Sequence, residues 1–157
     1  MNEQPTSDEF EVNLQEATED NLRLIEKLLR NNDLPYEDIP SKIHCLFLGY
    51  GSSRFVGIGG LEIHGNYGLL RSLVIAETAR GMGYGKGLAN KLIDYAGEKG
   101  ISEIYLLTTT AESFFANRGF KKVDRNVVPP EIQRTSEFSS LCPDSAVCMM
   151  LRIAPEK

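Results

Sequence analysis

The chain has 157 residues, enough for one compact core and few for two. Hydrophobic residues make up 41% and charged residues 25%, which excludes a disordered chain or a coiled coil, and a net charge of -5 argues against a general nucleic-acid binder. No apolar run approaches the roughly 20 residues of a membrane span, and the polar, acidic start Met1–Glu9 is unlike a signal peptide, so a cytoplasmic protein with a small-molecule partner is expected.

Residues 1–9 read as a mobile tail before a single domain over residues 10–153. Phe10 to Leu14 alternates apolar and polar residues as a half-buried strand does. Thr18 is an N-cap, with Asn21 three residues on, for a helix whose apolar face is Leu22, Ile25, Leu28 and Leu29. Asn31-Asn32-Asp33 ends it, and Leu34 to Ser41, with two prolines, predicts a short helical turn. Cys45 to Tyr50 and Phe55 to Ile63 predict a hairpin through the four-residue connection Gly51 to Arg54. A third run, Leu69 to Ile75, follows His64-Gly65-Asn66 and completes an antiparallel meander.

A helix from about Gly85 buries Leu88, Ala89, Leu92, Ile93 and Ala96. Ile104 to Leu107 is apolar on both faces, as a central strand covered on both sides would be. Thr109 or Thr110 is expected to cap a short helix holding Phe114 and Phe115, closed by Gly119 at its C′ position. Phe120 to Val123 returns to the sheet. Asn126 to Asp144 is a long connection with a helical turn starting at Pro-Pro, and Ala146 to Ile153 is the last strand; connections of that length are usually functional. The three cysteines, Cys45, Cys142 and Cys148, lie in or beside apolar runs and match no zinc spacing, so buried reduced thiols and no metal are expected. Thiolates are soft ligands for trivalent arsenic, but Cys142 precedes a proline in a loop and Cys148 lies mid-strand, which does not cluster them.

The octapeptide Arg80 to Gly87, R-G-M-G-Y-G-K-G, stands between a strand and a helix. Glycine N–H groups can approach an anion closely, and a helix N-terminus adds unpaired donors and a positive dipole end. A P-loop would need glycine at Arg80 and a hydroxyl at Gly87, so a nucleotide-hydrolysing loop is excluded. The dinucleotide fingerprint fails in both registers, which would need glycine at Lys86 or at Leu88. The alternative is a glycine-rich turn that only starts a helix.

What fits is R-x-x-G-x-G at Arg80, Gly83 and Gly85, after a strand carrying Leu73 and Ile75 and before a second strand and a helix ending in Gly-Phe. This order resembles the GCN5-related N-acetyltransferase (GNAT) superfamily over about residues 10 to 153. The resemblance implies an α/β fold, with a mixed, mostly antiparallel sheet of roughly six to seven strands splayed in the middle and flanked by about four helices. It implies acetyl-coenzyme A as cosubstrate. The pyrophosphate would lie on the N–H groups of Gly81, Met82, Gly83, Tyr84, Gly85 and Lys86, opened by Arg80. The pantetheine arm would pair with the backbone of Leu73, Val74 and Ile75 as an added strand would.

The implied reaction is attack of a neutral amine on the thioester carbonyl, helped by a backbone N–H near Leu73 or Val74, by a base and by an acid for the thiolate. Many family members carry a tyrosine acid where this chain has Phe115, which cannot donate a proton; the resemblance then leaves an unprotonated thiolate, water, Ser113 or Tyr84. Phe115 reads as core or as a wall against the pantetheine. Glu62, at a strand end where a solvated carboxylate is the plainer expectation, is the candidate base, and His64 beyond it reads as a surface imidazole. Arg71, Arg125 and Arg134 carry forks suited to an acceptor carboxylate or arsonate-type oxyanion, and Thr109, a candidate on the substrate side, would orient water or cap a helix. The stretch from Leu106 to Met150 resembles the acetyltransferase group associated with arsenic-resistance operons, and also the catalytic domain of N-acetylglutamate synthases. Both imply an amino acid or an arsenical analogue as acceptor; charge and hydropathy lead to the expectation of no nucleic acid and no membrane, and a homodimer is the assembly to test. A non-catalytic acyl-coenzyme A sensor is the rival expectation.

Overall fold

The computed structural model of the protein describes residues 11–153; the expected tail at 1–9, and Phe10 at the start of the first expected strand, lie outside the described residues. In chain order the elements are β1 (Asn13–Glu16), α1 (Leu22–Asn31), α2 (Ile39–Lys42), β2 (Leu46–Gly51), β3 (Arg54–His64) and β4 (Tyr67–Ile75). They continue with α3 (Tyr84–Glu98), β5 (Glu103–Thr108), α4 (Glu112–Ala116), β6 (Lys121–Lys122), α5 (Pro130–Gln133) and β7 (Val147–Arg152). The seven strands hydrogen-bond in the order β1-β2-β3-β4-β5-β7-β6. With β4 and β5 parallel and the β1–β2, β2–β3, β5–β7 and β6–β7 pairs antiparallel, this is the expected mixed α/β sheet.

The chain forms two compact units, one of residues up to Gly60 with Ser72–Asp94, the other of Leu61–Arg71 with the residues from Tyr95 onward. In the first unit, the expected apolar stripe of α1 puts Ile25 and Leu29 in the interior with Ile39, Leu46, Leu48, Ile58 and Val74. Each fully buried aliphatic side chain of this kind contributes about 1.5–3 kcal/mol relative to exposure. Thr18 opens a 3-10 turn, Glu19–Asn21, ahead of α1, and its backbone N–H donates to Asn21 Oδ1 at 2.9 Å. The short helix after Leu34 forms later than its prolines suggested, with Pro40 inside the first turn of α2.

The β2–β3 connection is tighter than the four residues expected. Only Ser52 and Ser53 lie between the strands, and both adopt positive φ, 52° and 66°. A two-residue hairpin turn that matches strand twist demands that geometry, normally met by Asn-Gly. Two glycines of this unit allow close approach. A Cβ on Gly57 would collide with the Val74 carbonyl oxygen, and one on Gly51 would collide with the Tyr84 ring at the start of α3.

In the second unit, β4 and β5 pair over Tyr67–Leu69 alone, although β4 continues through Leu70 and Arg71 and β5 through Leu106 to Thr108. The other edge of β5 pairs with β7 throughout, from Glu103 opposite Arg152 to Thr108 opposite Val147. This abrupt end to the parallel register is the expected splay. Ile104, Tyr105 and Leu106 are all buried, so β5 is covered on both faces.

Helix α4 lacks the expected threonine cap: Ala111 is its N-cap and no side chain caps it. Thr108 Oγ1, rather than Thr109 or Thr110, accepts from a backbone N–H, that of Ala111, at 2.9 Å, and the other two threonines are exposed. Gly119, with φ 99°, closes it as expected, the Phe120 N–H donating to the Phe115 carbonyl and the Gly119 N–H to Ala116. The long Asn126–Asp144 connection is structured. Pro130 occupies the first turn of α5, Ile132 and Val128 join a core with Leu69, Tyr105 and Cys148, and Glu137–Leu141 form a π-helical turn.

Candidate functional site

In the first unit the site begins where β4 ends. After Ile75 the chain makes a 3-10 turn, Glu77–Ala79, then passes through Gly81 and Gly83 at φ 80° and 87° before α3 starts at Tyr84. Only glycine adopts such angles without strain, so the loop needs glycine at both positions. A Cβ at Gly81 would meet nothing within 4 Å, so the positive φ, not a lack of room, is what calls for glycine there. The first bond of α3 runs from the Gly87 N–H to the Gly83 carbonyl at 3.3 Å. The N–H groups of Tyr84, Gly85 and Lys86 therefore have no acceptor one turn earlier in the helix, at its positive dipole end. Gly81, Met82, Gly83 and Lys86 are exposed, whereas Tyr84 is buried with its ring against Gly51.

Two guanidinium groups hold the loop backbone. Arg80 donates from Nε to the Ile75 carbonyl at 3.1 Å and from Nη2 to Asn32 Oδ1 at 3.0 Å. Arg54 donates from Nη2 to the Thr78 carbonyl at 2.9 Å. Sequence reasoning missed Arg54 and Asn32, which are far from the motif in the chain. Within β4, Leu73 and Ile75 are half-buried and Val74 is buried, while Ser72 has φ 61° in mid-strand, a local break in the pleat with no glycine to signal it.

The second unit carries a cluster of charges. Glu62, expected at a solvated strand end, is 1% exposed. Its Oε2 accepts from Arg71 Nη1 at 2.7 Å, and His64 Nε2 lies 2.9 Å from its Oε1. Arg71 Nε is 3.3 Å from Glu137 Oε2 on the π-helical turn, and neither side chain is more than 5% exposed. Glu62 and His64 share a face of β3 because side chains alternate, and Ile63 between them faces outward, 42% exposed. Charges so buried persist only when paired and hydrogen-bonded. The His64 imidazole, 28% exposed, is the member of the cluster nearest solvent. In the sequence Glu62, His64 and Arg71 stood out one by one and not as a cluster; nothing in the chain marked Glu137.

The remaining candidates in this unit are separately placed. Phe115 is buried between Phe114 and Phe120, with ring centroids at 5.1 and 5.6 Å in edge-to-face geometry, so the core expectation for it holds. Arg125 donates to the Pro143 carbonyl at 2.8 Å and the Ala146 carbonyl at 3.4 Å. Thr109, Ser113 and Arg134 are exposed. Burial, with Glu137 adding to it, pushes the Cys142 thiol up to about 12, and burial pushes Cys148 up to about 11. Both favour the neutral thiol. Among the described residues no group of three or more His, Cys, Asp or Glu side chains is arranged to hold a metal, and no helix is long and apolar enough to cross a membrane.

The model of the acetyltransferase (GNAT) family matches residues 9–122. An uncharacterized N-acetyltransferase of Chlorobaculum tepidum is 30% identical over 79 residues, 50% of this chain; the chain spans 48% of that relative, about half its length. Among solved structures, N-acetylglutamate synthase from Neisseria gonorrhoeae, complexed with coenzyme A and N-acetyl-glutamate, superposes with a TM-score of 0.76 at 20% identity, covering 91% of this chain and 35% of the synthase. The Rv2747 protein of Mycobacterium tuberculosis, in complex with CoA and NLQ, superposes with a TM-score of 0.73 at 17% identity, covering 90% of this chain and 99% of that one. At these identities the two structures are alike in fold.

Proposed function

The chain belongs to the acetyltransferase (GNAT) family, and from that premise we propose that it is an acetyl-coenzyme A-dependent N-acetyltransferase acting on the amine of a small molecule. The observation that carries the proposal is the loop from Gly81 to Lys86, where glycines at positive φ open onto the first, unpaired N–H groups of α3. The residues fit the donor: the loop offers a row of N–H groups to a pyrophosphate, and no side chain fills the space above Gly81. Lys86, exposed on the first turn of α3, adds positive charge.

In the proposed reaction the backbone of Leu73 to Ile75 pairs with the pantetheine arm, and an N–H of Leu73 or Val74 donates to the thioester carbonyl oxygen. The acceptor nitrogen forms a bond to the acetyl carbon, the carbon–sulfur bond breaks, and coenzyme A leaves as its thiolate. Glu62, whose two oxygens are held by Arg71 and His64, is the proposed base for the amine proton. Phe115 has no proton to give and sits in an aromatic cluster, so the thiolate leaves without a side-chain acid from that position. Ser113, exposed on α4, and Tyr84, packed against Gly51, carry the hydroxyls nearest in role.

The proposed acceptor is an amino acid or an arsenical analogue of one. The support is the resemblance of residues 106–150 to the acetyltransferase group of arsenic-resistance operons, and the fold shared with a synthase whose structure holds N-acetyl-glutamate. Arg134 and Thr109 are exposed and available to an acceptor carboxylate, while Arg71 and Arg125 would act from within their present bonds. A cytoplasmic homodimer is the proposed state. The replacement of tyrosine by Phe115 favours one second possibility, an acyl-coenzyme A sensor without turnover.

The test mixes protein, acetyl-coenzyme A and a panel of amino acids, arsenical analogues and polyamines with a thiol-detecting reagent. Free thiol released in proportion to one acceptor class supports the enzyme. Cofactor-dependent thermal stabilisation with no thiol release supports the sensor.

A further inference from the structure

We propose that Arg80 is a positioning residue for the anion-binding loop rather than a phosphate ligand, and that Asn32, at the end of α1, determines coenzyme A affinity through it. The inference rests on the coenzyme A reading of the loop given above. A loop that holds an anion on its N–H groups must keep its carbonyl oxygens turned away, because an oxygen aimed at the anion repels it. Two arginines hold such carbonyls here, Arg54 that of Thr78 at 2.9 Å and Arg80 that of Ile75 at 3.1 Å.

Arg80 is itself held from outside the motif. Its Nη2 donates to Asn32 Oδ1 at 3.0 Å, while Asn32 Nδ2 donates to the Leu28 carbonyl at 2.8 Å and the Asn32 N–H to the Leu29 carbonyl at 3.1 Å. The Leu28 bond fixes which end of the amide faces Arg80, since only the nitrogen can donate. Helix α1 is in turn rooted in the core by Ile25 and Leu29, both fully buried. The guanidinium also sits at the C-terminal end of α1, where the helix dipole favours a cation. A continuous series of contacts thus runs from the core through α1, Asn32 and Arg80 to the carbonyl at which β4 enters the loop. With Nε and Nη2 committed in this way, Arg80 presets the loop and leaves the N–H groups of Gly81 to Lys86 to the ligand.

The test measures coenzyme A binding by calorimetry, and amide hydrogen exchange of Gly81 to Lys86 without ligand, for the wild type and for Asn32→Ala, Asn32→Asp, Arg80→Ala and the Asn32→Ala/Arg80→Ala double variant. Asn32→Ala is expected to weaken coenzyme A by about threefold to tenfold and to speed loop exchange. Asn32→Asp loses the Leu28 bond but keeps an acceptor for Arg80, so it should bind within about twofold of wild type. The double variant should bind no more weakly than Arg80→Ala, because Asn32 acts only through Arg80. A loss in Arg80→Ala with none in Asn32→Ala, or additive losses in the double variant, would overturn the proposal and make Arg80 a direct ligand. Faster loop exchange in Asn32→Ala at unchanged affinity would also overturn it. If the wild type fails to bind coenzyme A, the ligand assignment and the affinity claim both fail; loop exchange still faster in Asn32→Ala than in the wild type would then show that the positioning role stands and that the ligand was the error.

Discussion

Arg71 donates to Glu62 at 2.7 Å with both side chains out of solvent, and the same guanidinium lies 3.3 Å from Glu137. One cation thus compensates two buried carboxylates. Replacing Arg71 with glutamine would leave both without it, and breaking such a buried pair costs about 3–5 kcal/mol. Urea denaturation of Arg71→Gln should show a loss of that size at unchanged m-value. Arg71→Lys, which offers a point charge in place of a fork, should lose less but still fail to bridge both carboxylates.

Gly57→Ala places a methyl group against the Val74 carbonyl oxygen, where backbone rather than a flexible side chain stands in the way. Overpacking of this kind costs about 1–3 kcal/mol. Because the displaced strand segment is the one proposed to pair with the pantetheine arm, the variant should raise the KM for acetyl-coenzyme A more than it lowers the melting temperature would suggest. Steady-state kinetics alongside thermal melts check this.

Gly83→Ala forces a side chain into φ 87° at the mouth of α3. The strain is about 1–3 kcal/mol, and the loop can relieve it only by moving N–H groups away from the anion. Calorimetry should show coenzyme A weakened by at least about tenfold. An alanine scan of exposed surface positions away from the loop serves as the comparison.

These glycines were legible because the loop is local. R-x-x-G-x-G, the strand before it and the apolar stripe of Leu88, Ala89, Leu92 and Ala96 lie within a short stretch, and periodicity reads them directly. The apolar run Phe55 to Ile63 likewise predicted β3 to within a residue at each end. The Glu62, Arg71 and Glu137 cluster was not legible, since its partners meet only through sheet register and through a π-helical turn in a distant connection. A lone glutamate at a strand end looks solvated until the chain that covers it is placed. Ser52, Ser53 and Ser72 at positive φ were hidden for a different reason: such angles are normally announced by glycine or asparagine, and here tertiary packing overrides that preference. No threonine caps α4: its N-cap is Ala111, and Thr108 Oγ1 accepts from the Ala111 N–H ahead of the helix.

The raised thiols give a pH dependence. Each of Cys142 and Cys148 ionises less readily when folded than at its ordinary value of 9.0, so the folded state holds the proton longer than the unfolded state. Their contribution to stability is complete below pH 9.0 and is lost as pH rises toward about 11 for Cys148 and about 12 for Cys142. Melting temperature should fall over that interval, less steeply in a Cys142→Ala/Cys148→Ala variant. Alkylation of either thiol at pH 8 should be much slower in the native protein than in urea, since the thiolate is the nucleophile.

Phe115→Tyr restores the hydroxyl that many family members use as an acid. In this chain the ring is packed edge-to-face against Phe114 and Phe120, so the new hydroxyl enters an aromatic cluster. Burying it without a partner costs about 1–3 kcal/mol, and the turnover rate should stay within about twofold of wild type. A large gain in rate would mean that proton donation from position 115 limits the reaction.

The most direct measurement is mass-spectrometric detection of product from the wild-type protein given isotope-labelled acetyl-coenzyme A and a mixture of amino acids and their arsenical analogues. The expected result is label transferred to the amine of one acceptor class over many turnovers, abolished by Gly81→Asp, which puts a carboxylate where the pyrophosphate is proposed to lie. Saturable binding of coenzyme A with no labelled acceptor in the mixture would contradict N-acetyl transfer to an amino acid or its analogue.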